Sequence, residues 1–283
     1  MLKRQFGVST HLFHNQRLSR DHLLEVAAHG FEAVELFATR THFDYHNVAA
    51  VADVQQWLAE AGLEVAGVHA PVAESYGGGR FGPALSIAAP DEEMRARAVG
   101  EAERALHIAR RLPVKLFVVH LGVPRTQEAP GGGNARAAAR RSIEELLRAA
   151  EPLGVRIAVE VIPNELSRAA SLVHFVEQDL EGTDVGICLD FGHARIDGDV
   201  VDAIETVSEH VIAAHVHDNR GRTDDHLVPF DGAIDWAAAL TAIQKIGYDG
   251  PFVLEMGLQG PTKETLARAR KARARMERMM ADG

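Results

Sequence analysis

The chain is 283 residues long and carries 30 basic against 40 acidic side chains, a formal net charge of −10. With 46% hydrophobic and 25% charged residues it has the make-up of a folded globular protein, which excludes a disordered or fibrous chain. Its one cysteine, Cys188, excludes an internal disulfide framework and a cysteine-rich zinc site, and the acidic total disfavours a nucleic-acid partner.

Taken in chain order, short apolar runs rich in Val, Ile and Phe occupy residues 5–10, 31–37, 63–69, 114–121, 155–162, 185–191, 211–217 and 251–257. Most are apolar on both faces, as strands covered on both sides are. Helix-like segments separate them at 20–29, 47–61, 91–111, 134–152, 168–180, 198–208, 234–245 and 261–281. Ser19 and the run Pro90-Asp91-Glu92-Glu93 mark helix starts, and Gly30, Gly62, Gly154 and Gly247 fall where a left-handed residue closes a helix. This alternation predicts one α/β domain over 1–283, a (β/α)8 TIM barrel. An open doubly wound sheet is the runner-up. It would want a G-x-G-x-x-G turn after the first strand, and none follows it; Gly77-Gly78-Gly79 and Gly131-Gly132-Gly133 read as parts of long loops. The N-terminus, MLKRQFGVSTHLFH, has no apolar signal core, and no run approaches the roughly 18 residues of a membrane span. A soluble, cytoplasmic protein is expected, with pairing through the outer helices a possibility shared by many barrels.

In such a barrel the C-terminal strand ends form one rim, where active sites are built. Residues able to bind metals or move protons gather at those ends: His69, His120, Glu160, Asp190, His193, His215, His217, Asp218 and Glu255, with Asp224 and His226 on the loop after the seventh strand. Ionised carboxylates inside apolar strands must be neutralised, paired or bound to metal. The strands that carry Glu160, Asp190 and Glu255 hold a single basic residue, Arg156, at the far end of its strand from Glu160, so a divalent cation is the simplest partner. Three carboxylates and one imidazole make a hard site suited to Mn2+, Mg2+, Fe2+ or Co2+, and further imidazoles tilt it toward Zn2+.

The segments VHAP, VVHLG, VEVIPN, LDFGHA, HVHDNRGRTDDH with the following GAIDW, and VLEM resemble the xylose isomerase-like barrel superfamily over nearly the whole chain. That superfamily includes sugar and sugar-phosphate isomerases and epimerases, and the abasic-site endonucleases. The resemblance to its ketose 3-epimerases implies one metal on Glu160, Asp190, His215 and Glu255, with His193 on the substrate. The resemblance to its endonucleases implies three zinc ions on nine ligands, adding His69, His120, His193, Asp224 and His226; residues of the right type stand at all nine positions. One to three ions are therefore expected.

The implied chemistry is proton transfer at a carbon beside a carbonyl, through a metal-stabilised enediolate, with Glu160 and Glu255 as the two proton carriers on opposite faces of the sugar. His193 and His217 are expected to orient hydroxyls, Glu35 to steady a ligand from behind, and Arg80 and Phe81 to touch the substrate from the 70–90 loop. A small sugar is the expected partner. The alternatives are a zinc-dependent abasic-site endonuclease, a dehydratase of the same superfamily, and an inert sugar-binding barrel. His11 and His14 lie on the rim or on the surface. The rest read plainly: Cys188, Trp57 and Trp236 as packing residues, and the seven basic residues from Lys263 to Arg278 as a solvated helix face.

Overall fold

The computed structural model describes residues 4–282; residues 1–3 and 283, the outer ends of the expected domain, lie outside the described residues. Strands β1 (Phe6–Ser9), β2 (Ala33–Phe37), β3 (Glu64–His69), β4 (Leu116–Val119), β5 (Arg156–Glu160), β6 (Gly186–Asp190), β7 (Val211–Val216) and β8 (Phe252–Leu254) form a closed barrel. Every pairing is parallel, and β8 closes on β1 through Phe6↔Phe252, Gly7↔Val253 and Val8↔Leu254. Around it run α1 (Arg20–Ala28), α2 (Val48–Ala61), α3 (Glu92–Leu106), α4 (Arg136–Ala150), α5 (Ala169–His174), α6 (Phe191–Asp197), α7 (Val200–Thr206), α8 (Trp236–Lys245) and α9 (Thr262–Asp282). The expected (β/α)8 barrel is what the chain forms. Among the described residues no helix is long and apolar enough to cross a membrane.

Local chemistry sets the helix ends. The side chains of Asn47, Asp91 and Asp235 accept from Ala49 N, Met94 N, and Ala237 N with Ala238 N. Each such cap stabilises its helix by about 1 kcal/mol. Gly62 closes α2 with φ 66, which an L side chain adopts only at a cost.

Strand alternation divides the interior in two. Phe117, Val119, Ile157, Val159, Ile187, Leu189, Ala214, Val216, Phe252 and Leu254 pack outward beneath the helices. Their neighbours of opposite parity, Val118, Ala158, Cys188 and Ala213, form a separate small plug inside the barrel. The plug is tight: a Cβ at Gly186 would sit 2.6 Å from Ile212 Cγ1. Cys188 is part of it, and burial pushes its thiol up to about 12. Following the same parity to the C-terminal end, the next inward positions are polar, and they become the site.

The boundaries differ from expectation where elements abut. LDFGHA turns directly from β6 into α6 at Asp190, so a helix stands where the sequence suggested a connection. The expected helix at 168–180 is α5 followed by a π-helical turn over Phe175–Asp179. The three glycines at 77–79 belong to a hairpin pairing Tyr76 with Phe81 and Gly77 with Arg80. Gly78 and Gly79 take φ of 58 and 76, the paired positive values a two-residue turn demands.

Candidate metal centre and cavity

Glu160 ends β5, Asp190 ends β6, His215 stands in β7, and Glu255 follows β8. All four are buried, at 0%, 0%, 0% and 3% exposure. Each offers one buried polar atom without a hydrogen-bond partner: Glu160 Oε1, Asp190 Oδ2, His215 Nδ1 and Glu255 Oε2. His215 Nδ1 lies 3.3 Å from Glu160 Oε1, 4.0 Å from Asp190 Oδ2 and 3.0 Å from Glu255 Oε2. One ligand atom from each of the four falls within 4.8 Å of all the others. Donors at about 2.1 Å from one ion sit about 3 Å apart along an octahedral edge, so the set fits a divalent cation. An orphaned buried oxygen is otherwise costly.

The remaining atoms of these residues are committed elsewhere. Asp190 Oδ1 accepts the His193 N–H at 2.6 Å and so caps α6. Glu160 Oε2 lies 3.0 Å from His69 Nε2 and 3.1 Å from His120 Nε2. His215 Nε2–H donates to Glu35 Oε2 at 2.9 Å, which turns the bare Nδ1 toward the cluster. Glu35, itself steadied by the Ser9 hydroxyl at 3.2 Å, thus acts behind His215; it does not line the cavity as a substrate contact.

A common pattern runs through the other imidazoles. A ring nitrogen facing a carbonyl must be the N–H. His69 Nδ1 donates to Ala70 O at 2.8 Å, His193 Nδ1 to Val161 O at 3.1 Å, and His226 Nδ1 to Glu255 O at 2.7 Å. Each then presents Nε2 to a carboxylate: His69 to Glu160, and His193 and His226 to Asp224 Oδ2 at 3.0 and 3.1 Å. These Nε2 atoms either carry a second proton or hold a cation. His193, His217, Asp224 and His226 form a second group with ligand atoms within 4.8 Å, and His69, Glu160 and His215 a third. His226 adopts φ 44, a backbone strain kept at the loop that brings it against Asp224.

Electrostatics follow from this crowding. Burial works against charging His215, yet Cys188, Glu35, Glu255 and Glu160 outweigh it and raise the imidazole well above its ordinary value. His193 is likewise raised against burial by Asp190 and Asp224, and His226 is raised by Asp224 to about 9. Glu160 is held well below the carboxylate range by His120 and His215 in spite of burial, and Asp224 by His226 and His193. Acid and base are thus balanced by proton sharing, which a cation would replace.

Above the cluster opens a cavity of about 340 Å³. His69, His120, His193, Asp224, His226 and Glu255 form its polar part, and His11, Phe37, Tyr76, Phe81 and the loop from Gly122 to Gln127 its walls. Phe81 therefore stands at the cavity, as anticipated, whereas Arg80 is exposed on the hairpin and does not line it. His217 does not reach it either: fully buried, it lies 3.0 Å from Asp190 Oδ1 and stacks on His226 at 4.2 Å, beneath Gly192. Tyr76 escaped the sequence reading, although a Tyr and a Phe flanking three glycines is a hairpin signal.

Three polar residues near the rim have structural duties. Asp218 accepts from Asn219 N, Phe230 N, Ile234 N and Trp236 Nε1, tying GAIDW to the end of β7. Asn164 donates to Leu121 O and Val123 O, and Ser167 also donates to Leu121 O; together they hold the cavity wall after β4.

Comparison with known proteins places this architecture. The uncharacterized protein MJ1311 of Methanocaldococcus jannaschii is 27% identical over 263 residues, covering 90% of this chain and 84% of its own. L-ribulose-5-phosphate 3-epimerase UlaE of Escherichia coli O157:H7 is 23% identical over 69% of this chain and 68% of its own. A crystal structure of a D-tagatose 3-epimerase-like protein superposes with a TM-score of 0.80 at 22% identity, covering 98% of each chain. D-psicose 3-epimerase with D-tagatose, from Clostridium cellulolyticum H10, gives 0.76 at 20% identity, covering 98% of this chain and 99% of its own. Residues 23–279 match the model of the family described as xylose isomerase-like TIM barrel, a span that holds β2 to β8 and every candidate ligand, and the chain belongs to that family.

Proposed function

We propose that the chain is a divalent-metal-dependent isomerase or epimerase that moves a proton at a carbon beside the carbonyl of a small sugar. The observation that carries this reading is the convergence of four orphaned atoms, on Glu160, Asp190, His215 and Glu255, in a cluster that meets a small-molecule cavity at Glu255. Relatives named as 3-epimerases of L-ribulose 5-phosphate and of psicose support the sugar class. A divalent ion held there supplies Lewis-acid stabilisation of negative charge on a carbonyl oxygen. The oxygen-rich set of four suits Mn2+, Mg2+ or Co2+. The imidazole-rich groups, His69 and His120 with Glu160 and His193 with Asp224 and His226, suit Zn2+ as second and third ions.

The chain's own groups do the proton work. Glu160 and Glu255 are held in their ionised form by neighbouring imidazoles, so each can accept a proton. One carboxylate lifts the proton and the other returns it; delivery to the opposite face inverts the carbon, which is epimerisation. His193, which lines the cavity and is anchored on Val161 O, orients a substrate hydroxyl. The walls shed water from the exchanging proton.

The second reading, a zinc endonuclease, is favoured by the assembly of eight of the nine expected ligands in three adjoining groups, with the ninth, His120, 3.1 Å from Glu160 Oε2. A cavity of about 340 Å³ walled by aromatic rings suits a small molecule better than a duplex. Incubating the metal-loaded protein with a panel of ketoses in deuterated water separates the two. The account expects deuterium at the carbon beside the carbonyl, lost in Asp190→Asn; a dehydratase would instead release water from the substrate. Nicking of abasic DNA with no exchange on any ketose would reverse the assignment.

A further inference from the structure

Resting on the reading above, we propose that the end of the substrate remote from the carboxylates is uncharged: an unphosphorylated sugar or polyol whose C–H face lies against an aromatic belt. The belt begins at His11, whose ring lies 4.7 Å from His226 and 4.9 Å from Phe37. Behind it His14, buried and outside the lining, lies 5.3 Å from His11, stacks on Tyr76 at 4.2 Å and meets Phe81 at 5.1 Å, backing the two outer rings. Phe81 is 42% exposed and marks the mouth. The cavity is therefore polar at its floor and aromatic from the floor outward along one side.

The hairpin fixes the outer half of the belt. Gly78 and Gly79 turn the chain so that Tyr76 and Phe81 pair across it, with rings 4.9 Å apart. Tyr76 N–H donates to Thr41 Oγ1 at 2.9 Å, anchoring the hairpin to the loop after β2. These rings are held in place before any ligand arrives.

Charge decides what they can accept. No Lys or Arg lines the cavity among the described residues. Arg125, on the loop that forms the opposite wall, is paired with Asp197 at 3.2 Å. Arg97 is paired with Glu74, and Arg80 stands exposed on the hairpin outside the lining. His14 brings no cation either: burial, then the neighbouring imidazoles of His11 and His42, push it down to about 2, and its Nε2 lies 3.1 Å from Thr39 Oγ1. A phosphate dianion placed against the outer rings, Tyr76 and Phe81, would shed its water with no charged donor to replace it, since the charged imidazoles His193 and His226 lie at the floor and are paired with Asp224. A sugar's C–H face loses little on leaving water, and its hydroxyls still meet the polar side chain of Gln127 in the wall.

The test uses matched pairs, each ketopentose or ketohexose beside its own terminal phosphate ester, with metal-loaded protein. Deuterium exchange reads turnover, and shifts of histidine ring signals in NMR titration read binding independently of it. The expected result is a kcat/KM at least about tenfold higher for the free sugar than for its ester. Tyr76→Ala and Phe81→Ala are expected to raise KM about tenfold while kcat stays within about twofold, and Phe81→Arg to narrow the preference for the free sugar. Exchange on the esters at equal or greater efficiency would overturn the inference and leave the proton-transfer reading standing. Exchange on neither member of any pair, with no histidine shifts, would overturn both.

Discussion

Glu35→Gln isolates the electrostatic half of the contact behind His215. Glu35 is 1% exposed, and its two oxygens meet His215 Nε2 at 2.9 Å and the Ser9 hydroxyl at 3.2 Å. Glutamine satisfies both: its oxygen accepts from His215 Nε2–H, and its amide donates to Ser9 Oγ. Only a negative charge is lost, roughly 6–7 Å across the imidazole from the atoms that would hold the ion. At an effective dielectric constant near 20, removing it would cost a divalent ion about 5 kcal/mol as a ceiling. Carboxylates behind metal-bound histidines usually contribute about 10- to 100-fold in affinity, or about 1.4–2.7 kcal/mol. Calorimetric titration of Mn2+ into chelator-stripped Glu35→Gln is therefore expected to show Kd raised about 10- to 100-fold, with the denaturation midpoint within about 1 kcal/mol of the parent. Unchanged affinity would refute the reasoning, since it would mean that the Glu35 charge behind His215 contributes nothing to holding a cation.

Three further outcomes follow from the geometry. Asp218→Asn can satisfy only part of the four donors that converge on the carboxylate, so urea denaturation should show a loss of about 3–5 kcal/mol; a loss below about 1 kcal/mol would contradict the structural role. Gly192→Ala places a Cβ 2.0 Å from His217 Cε1, inside a buried stack, and should lower stability by about 1–3 kcal/mol in the same assay, with an unchanged midpoint as the contrary result. Chelator-stripped protein should lose stability as pH rises. His226 is raised to about 9, so its contribution is complete below its ordinary value near 6.5 and is lost through pH 9, on the order of 3 kcal/mol. Thermal unfolding across that window checks it, and a metal-free protein that grows more stable toward pH 9 would contradict the sign.

Much of the site was legible because a barrel strand obeys a period of two. Glu160 and Asp190 share the inward parity of Ala158 and Cys188, so a polar residue closing an apolar strand marks the rim without any coordinates. The roles of the remaining polar residues were not legible, because they depend on which neighbour the fold supplies. Asp218 and His217 sit beside His215 in sequence, yet one ties down a loop and the other lies buried under Gly192. Glu35 and His215 are 180 positions apart, and only closure of the barrel brings them into contact. The hairpin escaped because its strands are two residues long, too short for alternation to register, and α6 escaped because it opens on the residue that ends β6.

Anomalous diffraction from a crystal soaked in Mn2+ addresses the cation directly. A peak within about 2.0–2.4 Å of Glu160 Oε1, Asp190 Oδ2, His215 Nδ1 and Glu255 Oε2 is the predicted result. An empty map at those four atoms under saturating ion, or density bound only elsewhere, would contradict it.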